Sequence, residues 1–185
     1  GSAGPLREGK GTMFEGGCRE SCVMWWPGKI LAGSRCSEPA MTIDILPTIA
    51  DLIGADLPRH TIDGKNIWPL ISGAENATSP QEAYYFYYGN QLQAIRSGKW
   101  KLHFPHGYRT MAGRPGGTGG IPTEYSQAKI GKELFDLESD IGESIDVADR
   151  YPDVVARLSV LGSLMRKELG DHKLKGNGIR PVGSL

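Results

Sequence analysis

Lys10-Gly-Thr-Met-Phe-Glu-Gly-Gly-Cys-Arg19 sets the reading of this chain. It puts a lone lysine ahead of a glycine-flanked turn. Cys22-Val-Met-Trp-Trp26 follows as a short apolar run stopped by Pro27-Gly28. Such a run, bounded by a turn signal, reads as a buried strand. A helix comes next: Ile45, Leu46, Ile49, Leu52 and Ile53 recur at helical spacing. Asp44 is placed to cap it, Pro47 fits its first turn, and Gly54 suits its end. With the loop Ile62-Asp-Gly-Lys-Asn-Ile-Trp-Pro-Leu70, this is the pattern of the last unit of an α/β sheet. A single strand needs neighbours for its backbone groups, so the unit cannot close a core alone.

Residues 72–82 are polar and carry Gly, Ser, Asn and Pro, as a linker does. Asn76-Ala-Thr78 within them matches the glycosylation triplet. A second organisation begins at Ala83. Tyr84-Tyr-Phe-Tyr-Tyr88 is strand-like and ends at Gly89-Asn90. Leu92–Ile95 and Trp100–Phe104 flank Ser97-Gly98 as the arms of a hairpin. Trp100, Leu102 and Phe104 alternate with Lys101 and His103, which predicts one apolar face and one wet face. Glu133-Leu-Phe-Asp-Leu137 offers a fourth strand. From Pro152, Val154, Val155, Leu158, Leu161, Met165 and Leu169 form the stripe of a helix. Arg166 and Lys167 suit its negative end, and Gly170 can stop it. The expected architecture is α/β: the tail of a large mixed-sheet domain (1–71), a linker (72–82), and a small α+β subdomain (83–185). In that subdomain a four-stranded antiparallel sheet is covered by the C-terminal helix.

The bulk numbers exclude several classes. Hydrophobic residues are 39% and charged residues 23% of 185, as in a folded chain. The net charge is zero, which argues against a nucleic-acid partner held by phosphate contacts. No run reaches the ~18 apolar residues of a membrane span. Glycine is in excess, 26 of 185, and five of these fall at 113–120, so 109–128 reads as a long glycine-rich loop. Cys18, Cys22 and Cys36 lack the His/Cys partners of a zinc site and read as small residues beside a strand. The aromatic run 84–88 reads as sheet packing rather than a base-stacking platform.

Lys10-Gly-Thr-x-x-Glu-Gly-Gly-x-Arg19 resembles a signature segment of the sulfatases, in the alkaline-phosphatase-like superfamily. Asp44-Ile-Leu-Pro-Thr48, Ile62-Asp-Gly64 with Pro69-Leu70, Ala94-Ile-Arg-Ser-Gly-Lys-Trp-Lys101, and Leu134-Phe-Asp-Leu-Glu138 with Gly142-Glu143 follow in the family's order. The pattern is most similar to arylsulfatase-like members. Two positions depart from it: Ser21 stands where the family usually has proline, and Asp140-Ile-Gly142 replaces Asp-Pro-Gly. The resemblance implies a sulfuric ester hydrolase that uses calcium and a formylglycine. It also implies a sulfated small molecule or glycan as substrate, and a periplasmic or secreted location.

The family's Cys/Ser-x-Pro/Ala-x-Arg nucleophile segment and its calcium aspartates have no counterpart in these 185 residues. The chain is therefore expected to bind neither group and to be inactive by itself. A missing N-terminal catalytic segment would be its partner, and its uncovered apolar faces would favour self-association. The alternatives are a non-catalytic substrate-binding or scaffolding module and a phosphoesterase relative.

Within this frame the resemblance assigns Lys10 to the sulfate, where a fixed ammonium offsets charge on the departing group. Glu15 and Arg19 read as a structural pair beside it. His103, His106 and Arg109, with Tyr108 and Arg114, are candidates for contact with substrate. For His103 the exposed-face alternation is already a sufficient account.

Overall fold

The computed structural model describes residues 3–121 and 123–181. They divide into two compact units: residues 3–20 with Ala83–Ile179, and Ser21–Glu82 joined by residues 180 and 181. The opening motif therefore packs with the C-terminal subdomain, whereas the sequence pattern alone groups it with the segment up to residue 71.

The first unit is built on an antiparallel sheet. Strands β1 (Tyr84–Tyr88), β2 (Gln91–Ser97), β3 (Trp100–His103) and β6 (Glu133–Asp136) pair in that order. Gly89 and Gly98 take positive φ, 59° and 56°, in the two tight turns. The register sets Ile95 opposite Leu102 and Leu102 opposite Leu134. These side chains form one apolar face with Leu92 and Phe104. Helix α4 (Pro152–Leu169) lies on that face and contributes Leu158, Leu161 and Met165 to the same cluster. Pro152 opens α4 at a position where its missing N–H costs nothing, and Gly170 ends it at φ 95°. Gly162 is required by contact: an added Cβ would lie 2.5 Å from Cζ of Phe104.

The second face of the sheet corrects the alternation argument. Arg96 stands opposite Lys101 and Ala94 opposite His103, as a two-residue period demands. Yet Lys101 and His103 are completely buried. This face is covered by the opening segment: Phe14, at 0% exposure, packs with Ile130, Phe135, Leu137 and Tyr108 in a second apolar cluster. The sheet has two covered sides, one sealed by a helix and the other by irregular chain. A short helical turn, α1 (Glu15–Cys18), belongs to that cover.

The expected loop at 109–128 is partly a hairpin. Strand β4 (His106–Thr110) pairs with β5 (Ser126–Ile130) in a two-stranded sheet, and the glycine-rich stretch is confined between them. A further small hairpin, β7 (Gly170–Asp171) with β8 (Leu174–Lys175), follows α4.

In the second unit, helix α2 (Ile45–Ile53) forms as the pattern requires, while the short helix α3 (Trp68–Ser72) forms where the pattern reads as loop; each is stopped by a left-handed glycine, Gly54 and Gly73. The expected strand at 22–26 does not form. Val23 is 92% and Trp25 85% exposed, and among the described residues no strand pairs with this run. A strand without a neighbour has no partner for its N–H and C=O groups, so β propensity alone does not hold it. Asp44 also differs from expectation. Its buried carboxylate does not cap α2; it accepts the backbone N–H of Met41 and Lys65 and the side-chain amide of Gln81, each at 2.9 Å. Thr48 adds a second tie, since its hydroxyl accepts the Ile67 N–H at 2.9 Å. Ile45, Leu46, Ile49 and Ile53 of α2 remain exposed. Among the described residues no helix is long and apolar enough to cross a membrane.

Candidate functional site

Lys10 occupies the crest of a loop in the first unit, with an exposed side chain. Among the described residues, no carboxylate pairs with its ammonium. Its backbone is held. The Arg109 guanidinium on β4 donates to the Lys10 carbonyl. Gly11 follows at φ 93°, and a Cβ there would collide with the same guanidinium. Thr12 turns back, its hydroxyl donating to the Gly9 carbonyl at 3.0 Å. Glu8 accepts from the Thr110 hydroxyl at 2.5 Å. The lysine thus stands on a loop clamped along its flank by a strand, with its ammonium exposed.

The Gly16-Gly17 pair has a steric cause. A Cβ on Gly16 would sit 2.3 Å from the Arg7 carbonyl oxygen, and one on Gly17 would sit 2.2 Å from the Thr12 carbonyl oxygen. The Gly16 N–H donates to that Arg7 carbonyl at 3.0 Å, so the close approach is a hydrogen bond that no larger residue permits.

Beneath the loop lies a buried charge cluster. Lys101 Nζ is 2.9 Å from Glu15 Oε1 and 3.1 Å from Glu143 Oε1. Arg96 reaches Glu15 Oε2 at 3.1 Å, and Arg19 lies 3.8 Å from the same oxygen. Glu143 Oε2 accepts the Glu15 N–H at 2.6 Å, and His103 Nε2 donates to Glu143 Oε1 at 2.9 Å. Burial pushes the Glu143 carboxyl up, but the His103 hydrogen bond and the Lys101 charge outweigh it and hold the group below the usual carboxylate range. His103 goes the other way: burial, with help from Lys101, lowers its pKa to about 4 against the pull of Glu143. Two carboxylates facing Lys101 and Arg96 balance in charge while the imidazole stays neutral.

The candidate residues fall into two groups. Lys10, Arg109, Glu15 and Arg19 come together on and under the loop. His103 and His106 are interior residues rather than surface ones. Phe14 stacks on the His103 ring at 4.6 Å. His106 Nδ1 donates to the Phe104 carbonyl at 2.7 Å, and burial lowers its pKa. Tyr108 is turned toward Arg7, which donates to its hydroxyl at 3.1 Å. Arg114 holds the Met111 carbonyl and the Ser126 hydroxyl at the base of the glycine-rich loop. Cys18 donates to the Thr12 carbonyl, and burial raises its thiol pKa; Cys22 and Cys36 are exposed and free.

Lys101, Glu143 and Arg7 do not stand out in the sequence as site residues. Gly142-Glu143 is visible as part of a family pattern, but its partners Arg7 and Glu15 lie more than a hundred residues away in the chain.

Asp44, Glu15, Glu143 and Asp140 do not offer calcium a set of open oxygen ligands. Calcium takes about six to eight oxygen ligands. Asp44, Glu15 and Glu143 are each saturated by N–H donors or cations. Asp140 accepts the Ser144 hydroxyl and the Ser144 and Ile145 N–H groups. Among the described residues no group of three or more His, Cys, Asp or Glu is arranged to hold a metal.

The class follows from comparison with known proteins. Residues 79–176 match the family described as the C-terminal region of aryl-sulfatase, and residues 9–106 match that of N-sulphoglucosamine sulphohydrolase, C-terminal. The chain belongs to the sulfatase family. It is 38% identical over 163 residues to arylsulfatase A of Bos taurus, covering 83% of this chain and 31% of that protein. To arylsulfatase A of Homo sapiens it is 36% identical over 182 residues, covering 91% and 34%. The chain thus spans about a third of the length of these relatives. Among solved structures, the PsFucS1 sulfatase from Pseudoalteromonas sp. shares the fold at TM-score 0.70 and 22% identity, over 92% of this chain and 34% of that one. A Bacteroides thetaiotaomicron protein described under the metabolism of multiple glycosaminoglycans matches at 0.65 and 25%, over 89% and 32%.

Proposed function

We propose that this chain forms the C-terminal part of an arylsulfatase-like enzyme that hydrolyses a sulfate ester, with Lys10 as its sulfate-contacting residue. The observation that carries this reading is an exposed ammonium, unpaired among the described residues, on a loop whose backbone is clamped by Arg109 and Thr12. Hydrolysis moves negative charge onto the sulfuryl oxygens and the leaving oxygen. A cation already fixed at that place stabilises the transition state without reorganising. Calcium and formylglycine would come from residues outside these 185, and the chain by itself would be inactive. A sulfated small molecule or glycan is the substrate class, and a periplasmic or secreted location goes with the family. Relatives named arylsulfatase A, steryl-sulfatase and N-acetylgalactosamine-6-sulfatase support the ester and leave the alcohol open.

The test is turnover of aryl sulfate and aryl phosphate monoesters by the enzyme that contains this chain. Sulfate turnover reduced by about 10²–10³-fold on Lys10→Ala is the expected result. Preference for phosphate would assign a phosphoesterase instead. Absence of turnover with both, despite a formylglycine verified by mass spectrometry, would assign a non-catalytic module.

A further inference from the structure

The Lys10 loop has two feet, and one residue holds both. At the near foot, Arg7 Nη1 donates to the backbone carbonyl of Glu143 at 2.6 Å. At the far foot, the Glu15 N–H donates to the carboxylate of Glu143 at 2.6 Å. The feet also meet each other, through the Gly16 N–H on the Arg7 carbonyl and the Arg7 guanidinium 4.2 Å from the centroid of the Phe14 ring. Glu143 is completely buried, and it sits at φ 49°, in the left-handed region that a residue with a Cβ adopts at a cost. Gly142 is its neighbour, so the chain holds a strained glutamate beside the residue type that would take this conformation freely. The strained backbone aims the carbonyl at one foot and the side chain at the other.

We infer that Glu143 is a positioning residue: it staples both ends of the Arg7–Glu15 loop and thereby fixes where the Lys10 ammonium stands. The inference rests on the sulfate-contacting role proposed for Lys10. Lys101 and His103 complete the staple, because they occupy the Glu143 oxygen that the loop does not use. Glu143 itself touches no substrate. Its effect passes through Lys10, since a displacement of about 1 Å in a charge-stabilising group is worth about 10²-fold in rate.

A double-mutant cycle on the complete enzyme tests this. Glu143→Gln keeps the shape and an acceptor but loses the charge that grips the Glu15 N–H and Lys101. In the parent enzyme it should lower kcat and kcat/KM together by about 10–10²-fold, the pattern of a contact made in the transition state. In the Lys10→Ala background the same change should cost less than about threefold. A multiplicative loss in that background would overturn the inference while leaving Lys10 as the sulfate contact. A silent Lys10→Ala would overturn both, so the two failures are distinguishable. Should Glu143→Gln fail to fold, Arg7→Met releases the near foot from a half-buried position, and its cycle with Lys10→Ala is judged by the same criterion.

Discussion

The two faces of the β1–β2–β3–β6 sheet are both closed to water, but by opposite chemistry. One is sealed by α4 through Leu92, Ile95, Leu102, Leu134 and Leu158, an apolar contact that needs only shape. The other is sealed by the opening segment over Lys101, His103 and Arg96, with Glu15 and Glu143 supplying the countercharges. An apolar face tolerates local loss and relaxes around it. A buried charge cluster is satisfied only as a whole, because each member left alone is an uncompensated ion. The difference suits the use proposed for each face: α4 supplies stability, and the charged face supplies a fixed place for Lys10.

The largest expected effect breaks the charged face. Lys101→Met leaves two carboxylates buried against one another and should cost about 3–5 kcal/mol in urea unfolding. Leu102→Ala, its neighbour on the apolar face, should cost about 2–5 kcal/mol. Restoration separates the two. Replacing Glu15, Lys101 and Glu143 together by apolar residues of similar volume should recover part of the first loss, whereas no distant change should recover the second.

Acid separates the faces next. The His103 imidazole titrates near 6.5 when unfolded and at about 4 when folded. Between those values the unfolded chain binds the proton and the folded chain does not, so stability falls as pH drops through the window. The loss amounts to about 3 kcal/mol by pH 4. Glu143, whose folded carboxyl is held low, loses its contribution in the same direction. Urea midpoints measured from pH 7 to 4 should show the slope, and His103→Gln should cut it by more than half. A slope unchanged by that variant would place the titration elsewhere.

Gly162→Ala probes the apolar face alone. Its methyl group would press on the Phe104 ring, and overpacking of this kind costs about 1–3 kcal/mol. Its unfolding should show no added pH dependence. The smallest effect lies in the second unit: Trp25→Ser should change stability by less than about 0.5 kcal/mol. It should also lower self-association in sedimentation velocity, because the side chain is exposed.

Much of the apolar face was legible in sequence. Trp100, Leu102 and Phe104 alternate, the α4 stripe has helical spacing, and the turn glycines stand between strands, all signals carried by near neighbours. The charged face was not legible. Alternation shows that Lys101 and His103 share a side but cannot tell water from a buried network, and Glu15 lies 86 residues from Lys101. The same limit hid β4 and β5, since Ser126–Ile130 is polar and pairs only once the chain has turned back through the glycine-rich stretch. At 22–26 the error ran the other way: strand propensity was present and its partner strand was not. The motif that carries Lys10 was visible in the sequence, whereas the contacts that Glu143, Arg7 and Arg109 make to its loop were not.

Amide hydrogen exchange of the 185-residue chain tests most directly whether the opening segment seals the sheet. The Glu15 N–H donates to the Glu143 carboxylate and the Gly16 N–H to the Arg7 carbonyl. Both amides should exchange as slowly as the paired amides of β3 and β6. Exchange of Glu15 and Gly16 within seconds, at the rate of the exposed chain around Val23–Trp25 and with the sheet still protected, would contradict the seal.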